Sequence, residues 1–262
     1  MAEDDSKVAK LSAETMRSEK PVTLWRTAWR RLFRRKSAVL GMIMLGLLVF
    51  IAIFAGLLAP YDPYQVLIGI ENVKARQDPC IHLLGCPDDQ PQHLMGIDGN
   101  VRDMFSRLLY GARLSLLVGF TTVSFAIVIG VTLGALSGYL GGWVDNVIMR
   151  MMDVLLAFPS LLLAIAIVTI LGPGIQNALL AIGIVSIPAY ARVTRASVLT
   201  VKQMEFVDAS RSLGGGTLYI LFGRILPNSL TPLIVQGTLG IATAILDAAA
   251  LSFLGLGAQP PT

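Results

Sequence analysis

Charged residues are scarce in this chain of 262 residues: they make up 15% of it, whereas an average soluble protein has roughly a quarter. Hydrophobic residues reach 54%, and the mean hydropathy is +0.68. This composition excludes an ordinary soluble domain and a disordered or collagen-like chain, and it predicts a membrane protein. The net charge of +4 is too small to indicate nucleic-acid binding.

Groups that carry out catalysis are also rare. The two histidines, His82 and His93, lie in one polar segment with no plausible nucleophile beside them, which argues against a Ser-His-Asp arrangement. The phosphate-binding pattern Gly-x-x-x-x-Gly-Lys-Ser/Thr does not occur in the sequence. The glycines at 214–216 are followed directly by Thr217, without the lysine that would contact the phosphates. We therefore expect no catalytic residue in this chain and no cofactor or metal bound by it.

Cysteine is limited to Cys80 and Cys86, which lie in a turn-rich segment between two prolines. On the external face of a membrane such a pair is able to oxidise and close a seven-residue ring. Two free thiols are the alternative. A zinc site that also uses His82 is a third interpretation, which the spacing disfavours because it matches no familiar zinc pattern.

The first charge-free run extends for 22 residues, from Ala38 to Ala59, which is long enough to cross a bilayer. Basic residues precede it directly, so the positive-inside rule predicts a cytoplasmic N-terminus. We assign residues 1–36 to a cytoplasmic segment, with an amphipathic helix at 24–35 in the membrane interface, and residues 37–60 to the first transmembrane helix. A straight extension of that helix is the alternative for 24–35. The long polar leader disfavours a cleaved signal peptide.

Beyond this helix, the acidic segment 61–112 is predicted to lie outside the cell. Of the five predicted crossings, the first four place the polar segment from Arg192 to Pro227 inside. Its five Lys and Arg against two acidic residues agree with the positive-inside rule. The predicted fold class is an all-α, polytopic membrane protein with a core domain at 113–262. Its four apolar stretches are Leu114–Leu136, Val154–Leu171, Ala178–Ala191 and Leu230–Leu256.

The cytoplasmic segment 195–227 is much longer than an ordinary interhelical loop. Its pattern predicts a helix, a glycine turn and a second helix that ends at Pro227. Glu205, Asp208 and Arg211 recur every three residues and therefore share a helix face. We interpret this segment as a docking element for a partner protein, with an ordinary solvated loop as the alternative.

The same segment resembles the coupling loop of the membrane subunits of binding-protein-dependent ABC importers. Their pattern is Glu-Ala-Ala, three residues, Gly, nine residues, Ile, any residue, Leu-Pro. This chain departs from it at Asp208, Ser210 and Arg224 and keeps the spacing. The candidate ATPase-coupling residues are Glu205, Asp208, Ala209, Ser210, Arg211, Gly214, Leu226 and Pro227.

A second resemblance, to dipeptide and oligopeptide permeases of the C type, extends over roughly residues 25–262. It implies the type I permease fold of ABC importers, with five spanning helices in this chain and a sixth expected beyond its C-terminus. The matching stretches are His93–Asp98, Arg102–Leu116, Gly138–Asp145, Ala157–Pro159 and Leu251–Gly257.

The resemblance implies a permease subunit of an ATP-driven importer of dipeptides or oligopeptides in the bacterial inner membrane, working by alternating access. The implied partners are a second homologous permease subunit in a heterodimer, one or two ATP-binding subunits that hold the ATP and magnesium, an external substrate-binding protein and the lipid bilayer. No nucleic acid is expected.

Three ionisable residues near the apolar stretches are further candidates. Asp247 lies inside the last stretch, where an ionised carboxylate costs about 2.5 to 3.5 kcal/mol. We expect it to line the translocation pathway or its outer gate, with a packing pair to an arginine of the sister subunit as the alternative. Arg150 and Asp153, three residues apart, are predicted to form a structural pair.

The alternative function is a stand-alone secondary transporter or channel. Ion coupling in that class calls for internal inverted repeats or several ionisable groups within the membrane, and Asp247 is the single such group in the five apolar stretches. A membrane-bound enzyme is disfavoured because no catalytic set is found.

Overall fold

The computed structural model describes residues 32–87 and 89–257. Among these residues it has helices, one short 3-10 turn at His82–Leu84 and no strand beyond three isolated bridges. The chain divides into two compact units, Met1–Ile51 and Ala52–Thr262. The predicted amphipathic helix at 24–35 lies largely outside the described residues.

Four of the described helices are long and apolar enough to cross a membrane: α1 (Lys36–Leu58), α2 (Met104–Leu140), α5 (Ile175–Val201) and α9 (Leu230–Phe253). Two further helices, α3 (Gly142–Leu156) and α4 (Ser160–Leu171), meet at an angle of 89° and make a fifth crossing if they are taken together. The all-α, polytopic fold class is confirmed, and the five predicted crossings match this larger number.

Both α2 and α5 extend beyond the apolar stretches that predicted them. α2 begins at Met104 because the carboxylate of Asp103 caps it, accepting a hydrogen bond from the backbone N–H of Ser106 at 2.7 Å. α5 contains Pro188 without ending there, and it continues to Val201 through residues that were expected to lie in a loop. The ends of both helices depend on capping and on partners for charged side chains as well as on hydropathy. Hydropathy alone therefore misplaced the ends of α2 and α5.

The predicted span Val154–Leu171 is broken in the structure. α3 ends at Leu156 and α4 begins at Ser160, directly after Pro159. Proline disfavours helical backbone angles at the residue before it, here Phe158. The apolar stretch is therefore divided between two helices of different direction.

Glycines on one face of α2 allow it to pack closely against α5. A Cβ atom on Gly130 would lie 2.8 Å from the carbonyl oxygen of Ile187, and one on Gly138 would lie 2.9 Å from that of Arg195. Small residues at such spacing let helix backbones approach in membranes. Gly138 is therefore a packing residue inside a helix. The main core combines α2, α4, α5 and α9, with Val123, Val168, Ile182, Tyr190 and Ala244 among its buried residues.

The segment before α2 folds around a small apolar cluster of Leu67, Ile97 and Val101. Cys80 and Cys86 form a disulfide with a Cα–Cα distance of 5.4 Å, so the first of the three interpretations of these cysteines is the one that the structure has.

Candidate functional site

A helical hairpin at residues 202–229 connects α5 to α9. It consists of α6 (Glu205–Ser212), a glycine turn, α7 (Thr217–Ile220), a π-helical turn (Leu221–Ile225) and α8 (Leu226–Asn228). The predicted order of helix, turn and helix is confirmed. Pro227 lies within α8, and the chain turns at Ser229 before α9 begins.

The turn of this hairpin requires glycine. Gly214 has a φ of +81°, in the left-handed region that other residues rarely adopt. Its N–H donates to the carbonyl oxygen of Arg211 at 3.0 Å, and that of Gly215 donates to Ser210 at 3.0 Å. A Cβ atom on Gly215 would lie 2.8 Å from the Ser210 carbonyl oxygen. Together these bonds close the end of α6 and reverse the chain.

One side of the hairpin is anchored by its own apolar core. This second core is separate from the main one and joins the hairpin to the ends of α2 and α5; its buried members are Ala135, Val198, Val201, Val207, Ile220, Leu221 and Ile225. The hydroxyl of Ser229, also buried, donates to the Ile225 carbonyl oxygen at 3.0 Å. Tight packing transmits displacement, so a force on the hairpin reaches both membrane helices.

The opposite side of the hairpin is exposed and combines charge with apolar side chains. Asp208 and Arg211 are paired at 3.4 Å on the surface of α6, and Glu205 and Ala209 are exposed beside them. At the turn, Leu213 is 88% exposed. Leu218, on the first turn of α7, is also largely exposed. Exposed apolar patches of this kind mark interaction surfaces.

The eight candidate coupling residues are not equivalent. Six of them are exposed, whereas Ser210 and Leu226 are half-buried. The hydroxyl of Ser210 donates to the carbonyl oxygen of Phe206 at 2.8 Å, so it is used inside the helix. Sequence reasoning missed Leu213 and Leu218, although two leucines that flank a glycine turn in a charged loop were a usable signal.

The predicted pair between Arg150 and Asp153 is wrong. Asp153 accepts a hydrogen bond from Nη2 of Arg192 at 2.6 Å, across α3 and α5, and no ion pair joins it to Arg150 within the described part of the chain. A second bridge links the same two helices: Asp145 accepts bonds from Arg195 at 2.5 and 2.6 Å. The spacing of three residues favoured Arg150 as the partner of Asp153, but the partner in the structure is Arg192, which is distant in sequence.

Asp247 lies on α9, one turn from the buried residues Ala244 and Leu251 on the same side of the helix. Its side chain is half-buried. Neither a hydrogen bond nor an ion pair to it is found among the residues that the structure describes. A carboxylate in this position is free to interact with a solute or with another subunit.

A polar network that the sequence did not reveal fastens the 61–103 segment to α2. The buried His93 has Nδ1 at 2.9 Å from Asp103 and Nε2 at 3.2 Å from Glu71. The hydroxyl of Tyr61 donates to the same Glu71 at 3.1 Å. Burial raises the pKa of Tyr61 to about 12, helped by the hydrogen bond to Glu71 and by the charges of Glu71 and Asp103. Because Asp103 also caps α2, the network holds the segment at the start of that helix.

Comparison with known proteins identifies the family. The family model described as "Binding-protein-dependent transport system inner membrane component" matches residues 130–262, which include the 202–229 hairpin. The chain belongs to this family. A second model, the N-terminal TM domain of oligopeptide transport permease C, matches residues 23–79. This membership confirms the predicted ABC importer permease, a multi-pass protein of the inner membrane.

Curated relatives of this permease come from several bacteria. A dipeptide transport system permease protein of Alkalihalophilus pseudofirmus is 48% identical over 240 residues, covering 92% of this chain and 74% of that protein. A di/tripeptide transport system permease protein of Pseudomonas aeruginosa is 48% identical, with 89% and 75% covered. A glutathione transport system permease protein of Pectobacterium atrosepticum is 43% identical, with 91% and 75% covered.

Among solved structures, an inward-facing MetNI methionine ABC transporter matches with a TM-score of 0.49 and 23% identity, covering 55% of this chain and 72% of that chain.

As a family, permeases of binding-protein-dependent systems work with ATP-binding subunits and a binding protein.

Proposed function

We propose that this permease forms half of the translocation pathway of an ATP-driven importer of short peptides. Its partners in the proposal are a second homologous permease subunit, making a heterodimer, one or two ATP-binding subunits, and an external binding protein that delivers the solute. The relatives are named for dipeptides, di/tripeptides and glutathione, and glutathione is itself a short peptide. This shared chemistry supports the choice of substrate class.

The observation that carries the proposal is the two-sided hairpin. Its buried side packs on the ends of α2 and α5, while its other side exposes Leu213 and Leu218 next to the charged face of α6. Such a surface suits a groove on another protein. We assign this groove to an ATP-binding subunit. That subunit also binds the ATP and magnesium in this proposal, since the present sequence has no phosphate-binding loop.

Coupling then follows from the way the hairpin is attached. When two ATP-binding subunits close and open, they displace the hairpin, and its apolar core carries the displacement to α2 and α5. The pathway thereby opens to one side of the membrane at a time, by a shift between two conformations that the nucleotide state favours differently. The eight coupling residues of the sequence motif lie on or beside this contact.

The orientation of the chain is consistent with this arrangement. Counted as one crossing each, α1, α2, the bent α3–α4 segment, whose α4 part enters the membrane, and α5 return the chain to the side of its N-terminus. Both the N-terminus and the hairpin are therefore assigned to the cytoplasm. Asp247 is assigned to the pathway or its outer gate, where it is available to bind the amino group of a peptide.

Uptake by the reconstituted transporter tests the proposal. The permease, its partner permease and the ATP-binding subunits are placed in liposomes with the binding protein outside, and the entry of a labelled dipeptide is measured. We expect uptake that requires both ATP and the binding protein. Uptake that proceeds without ATP and follows an ion gradient would instead indicate a secondary transporter, and uptake that only equilibrates the dipeptide would indicate a channel.

A further inference from the structure

Helix α3 has an apolar face that no described residue covers. Trp143 is 78% exposed, and Val147, Met151 and Val154 are exposed as well. Spacings of three and four residues place these side chains on one side of the helix. The other side carries the buried Met152 and the carboxylate of Asp145, which is bonded to α5. The exposed face is therefore a surface that points away from the helix bundle.

The spacing of the two ion pairs favours an arrangement in which α3 crosses α5 at an angle. Asp145 and Asp153 are eight residues apart, about 12 Å along α3, whereas their partners Arg195 and Arg192 are three residues apart, about 4.5 Å along α5. Helices that run alongside each other favour more nearly equal spacings. In addition, α3 makes an angle of 89° with α4, the uncharged helix that follows it. The two helices therefore do not both run along the membrane normal.

The charge on this face narrows the choice of partner. Arg150 is exposed between Val147 and Val154, on the same side of α3, and no ion pair to it occurs within 32–87 and 89–257. The two carboxylates of α3 are neutralised by arginines of α5, so its free charge is positive. An arginine within an apolar face fits the boundary between headgroups and acyl chains, where its side chain reaches up to a phosphate. Tryptophan also prefers this boundary.

We propose that α3 lies in the membrane interface of the cytoplasmic leaflet, with its apolar face in the acyl chains and Arg150 bound to the phosphate of an anionic phospholipid. The position of α3 supports this occupant, because it joins the end of α2 to α4, at the level where α5 leaves its apolar stretch and carries Arg192 and Arg195. The choice of leaflet rests on the proposed orientation of the chain; the interfacial depth does not.

Fluorescence of Trp143 tests the depth. The chain has three tryptophans, so Trp25→Phe and Trp29→Phe leave Trp143 alone in the full-length protein. In lipid nanodiscs we expect its emission to be quenched more by lipids with bromine near the headgroup than by lipids with bromine near the chain end. The matched control moves the probe to the middle of α2 with Val128→Trp and Trp143→Phe, and there the order of quenching reverses. Stronger quenching of Trp143 by the deep bromines, or no quenching by either, would overturn the proposal.

Arg150→Gln tests the preference for anionic lipid. One basic residue near an anionic surface contributes about 1 kcal/mol, or about a five-fold enrichment. With brominated phosphatidylglycerol diluted into phosphatidylcholine, quenching of Trp143 should report that enrichment in the wild type, no enrichment in Arg150→Gln, and enrichment again in Arg150→Lys. Equal quenching in wild type and Arg150→Gln would contradict the assignment of Arg150.

A cross-link in the assembled transporter distinguishes lipid from protein as the occupant. A benzophenone amino acid replaces Trp143, and the complex with its partner permease and ATP-binding subunits is illuminated in its native membrane. The proposal predicts a phospholipid adduct in the mass spectrum of the permease. A cross-link to another subunit would show that the face is a protein interface. Because none of these three readouts involves transport, a failure of this proposal leaves the proposed import function untouched.

Discussion

Arg195 of α5 holds the carboxylate of Asp145 of α3 with two hydrogen bonds, from Nε at 2.5 Å and Nη2 at 2.6 Å. The hydroxyl of Ser137 on α2 donates to the same carboxylate at 2.5 Å. Three helices therefore meet at one anion. Bidentate hydrogen bonds between arginine and carboxylate fix geometry as well as adding energy. This one joins the charged part of α5 to α2 and α3.

Loss of the Asp145 charge should destabilise the protein. Asp145→Asn keeps the shape but weakens bonds to a charged partner, which we expect to lower the free energy of unfolding by about 2 kcal/mol. The matched control is Asp153→Asn, because the Asp153–Arg192 pair is 51% exposed on both sides and contributes less than about 1 kcal/mol. Denaturation in mixed detergent micelles measures both; equal losses would show that the Asp145 bridge has no special weight.

The tyrosine of the His93 network should give a stability change at high pH. The pKa of Tyr61 rises from an ordinary 10.0 to about 12 in the folded protein, so the unfolded chain loses this proton first as the pH increases. The stabilisation is thus complete below pH 10 and is lost as the pH rises from 10 toward 12.

Tyr61→Phe is the variant that tests this effect. We expect it to cost about 1 kcal/mol at neutral pH, for the lost bond to Glu71, and to flatten the decline in stability above pH 10. Tyr64→Phe, at an exposed tyrosine of the same segment, serves as control and should leave the decline unchanged. An identical slope in wild type and Tyr61→Phe contradicts the prediction.

The glycine turn of the hairpin offers a test of backbone conformation. Gly214 has a φ of +81°, where a residue with a Cβ atom is disfavoured by about 1 to 2 kcal/mol, whereas Gly216 has a φ of −69° that any residue adopts. Gly214→Val should therefore weaken retention of the ATP-binding subunit, while Gly216→Val should retain it. Thermal unfolding of both variants checks that the membrane helices stay folded.

The carboxylate of Asp247 is expected to act in transport without contributing to assembly. Asp247→Leu should leave the complex intact on size-exclusion chromatography. It should reduce the stimulation of ATP hydrolysis by the loaded binding protein severalfold, since the charge that we propose to bind the solute is removed. Asp247→Asn should have the smaller effect because it keeps a polar side chain. Wild-type stimulation in Asp247→Leu would remove this residue from the pathway, and loss of assembly would favour a packing role.

The sequence predicted those features that depend on neighbouring residues. The apolar stretches identified the membrane helices, and the glycines after Leu213 identified the turn of the hairpin. The ends of α2 and α5 were not predictable from hydropathy, because Asp103 and the arginines of α5 find their partners through tertiary contacts. For the same reason the helical spacing of Arg150 and Asp153 was misleading: a local ion pair contributes only about 0.2 to 0.5 kcal/mol, and Arg192 competes for the same carboxylate.

Docking of the hairpin on an ATP-binding subunit is the central claim, and Leu213→Asp tests it most directly. Leu213 is 88% exposed at the tip of the hairpin, and burying a leucine contributes about 1.5 to 3 kcal/mol, so the variant should bind the ATP-binding subunit at least about ten-fold more weakly in a co-purification titration. Leu83→Asp changes a leucine that is 94% exposed on the 61–103 segment and should bind as the wild type does. Undiminished affinity of Leu213→Asp would contradict the account.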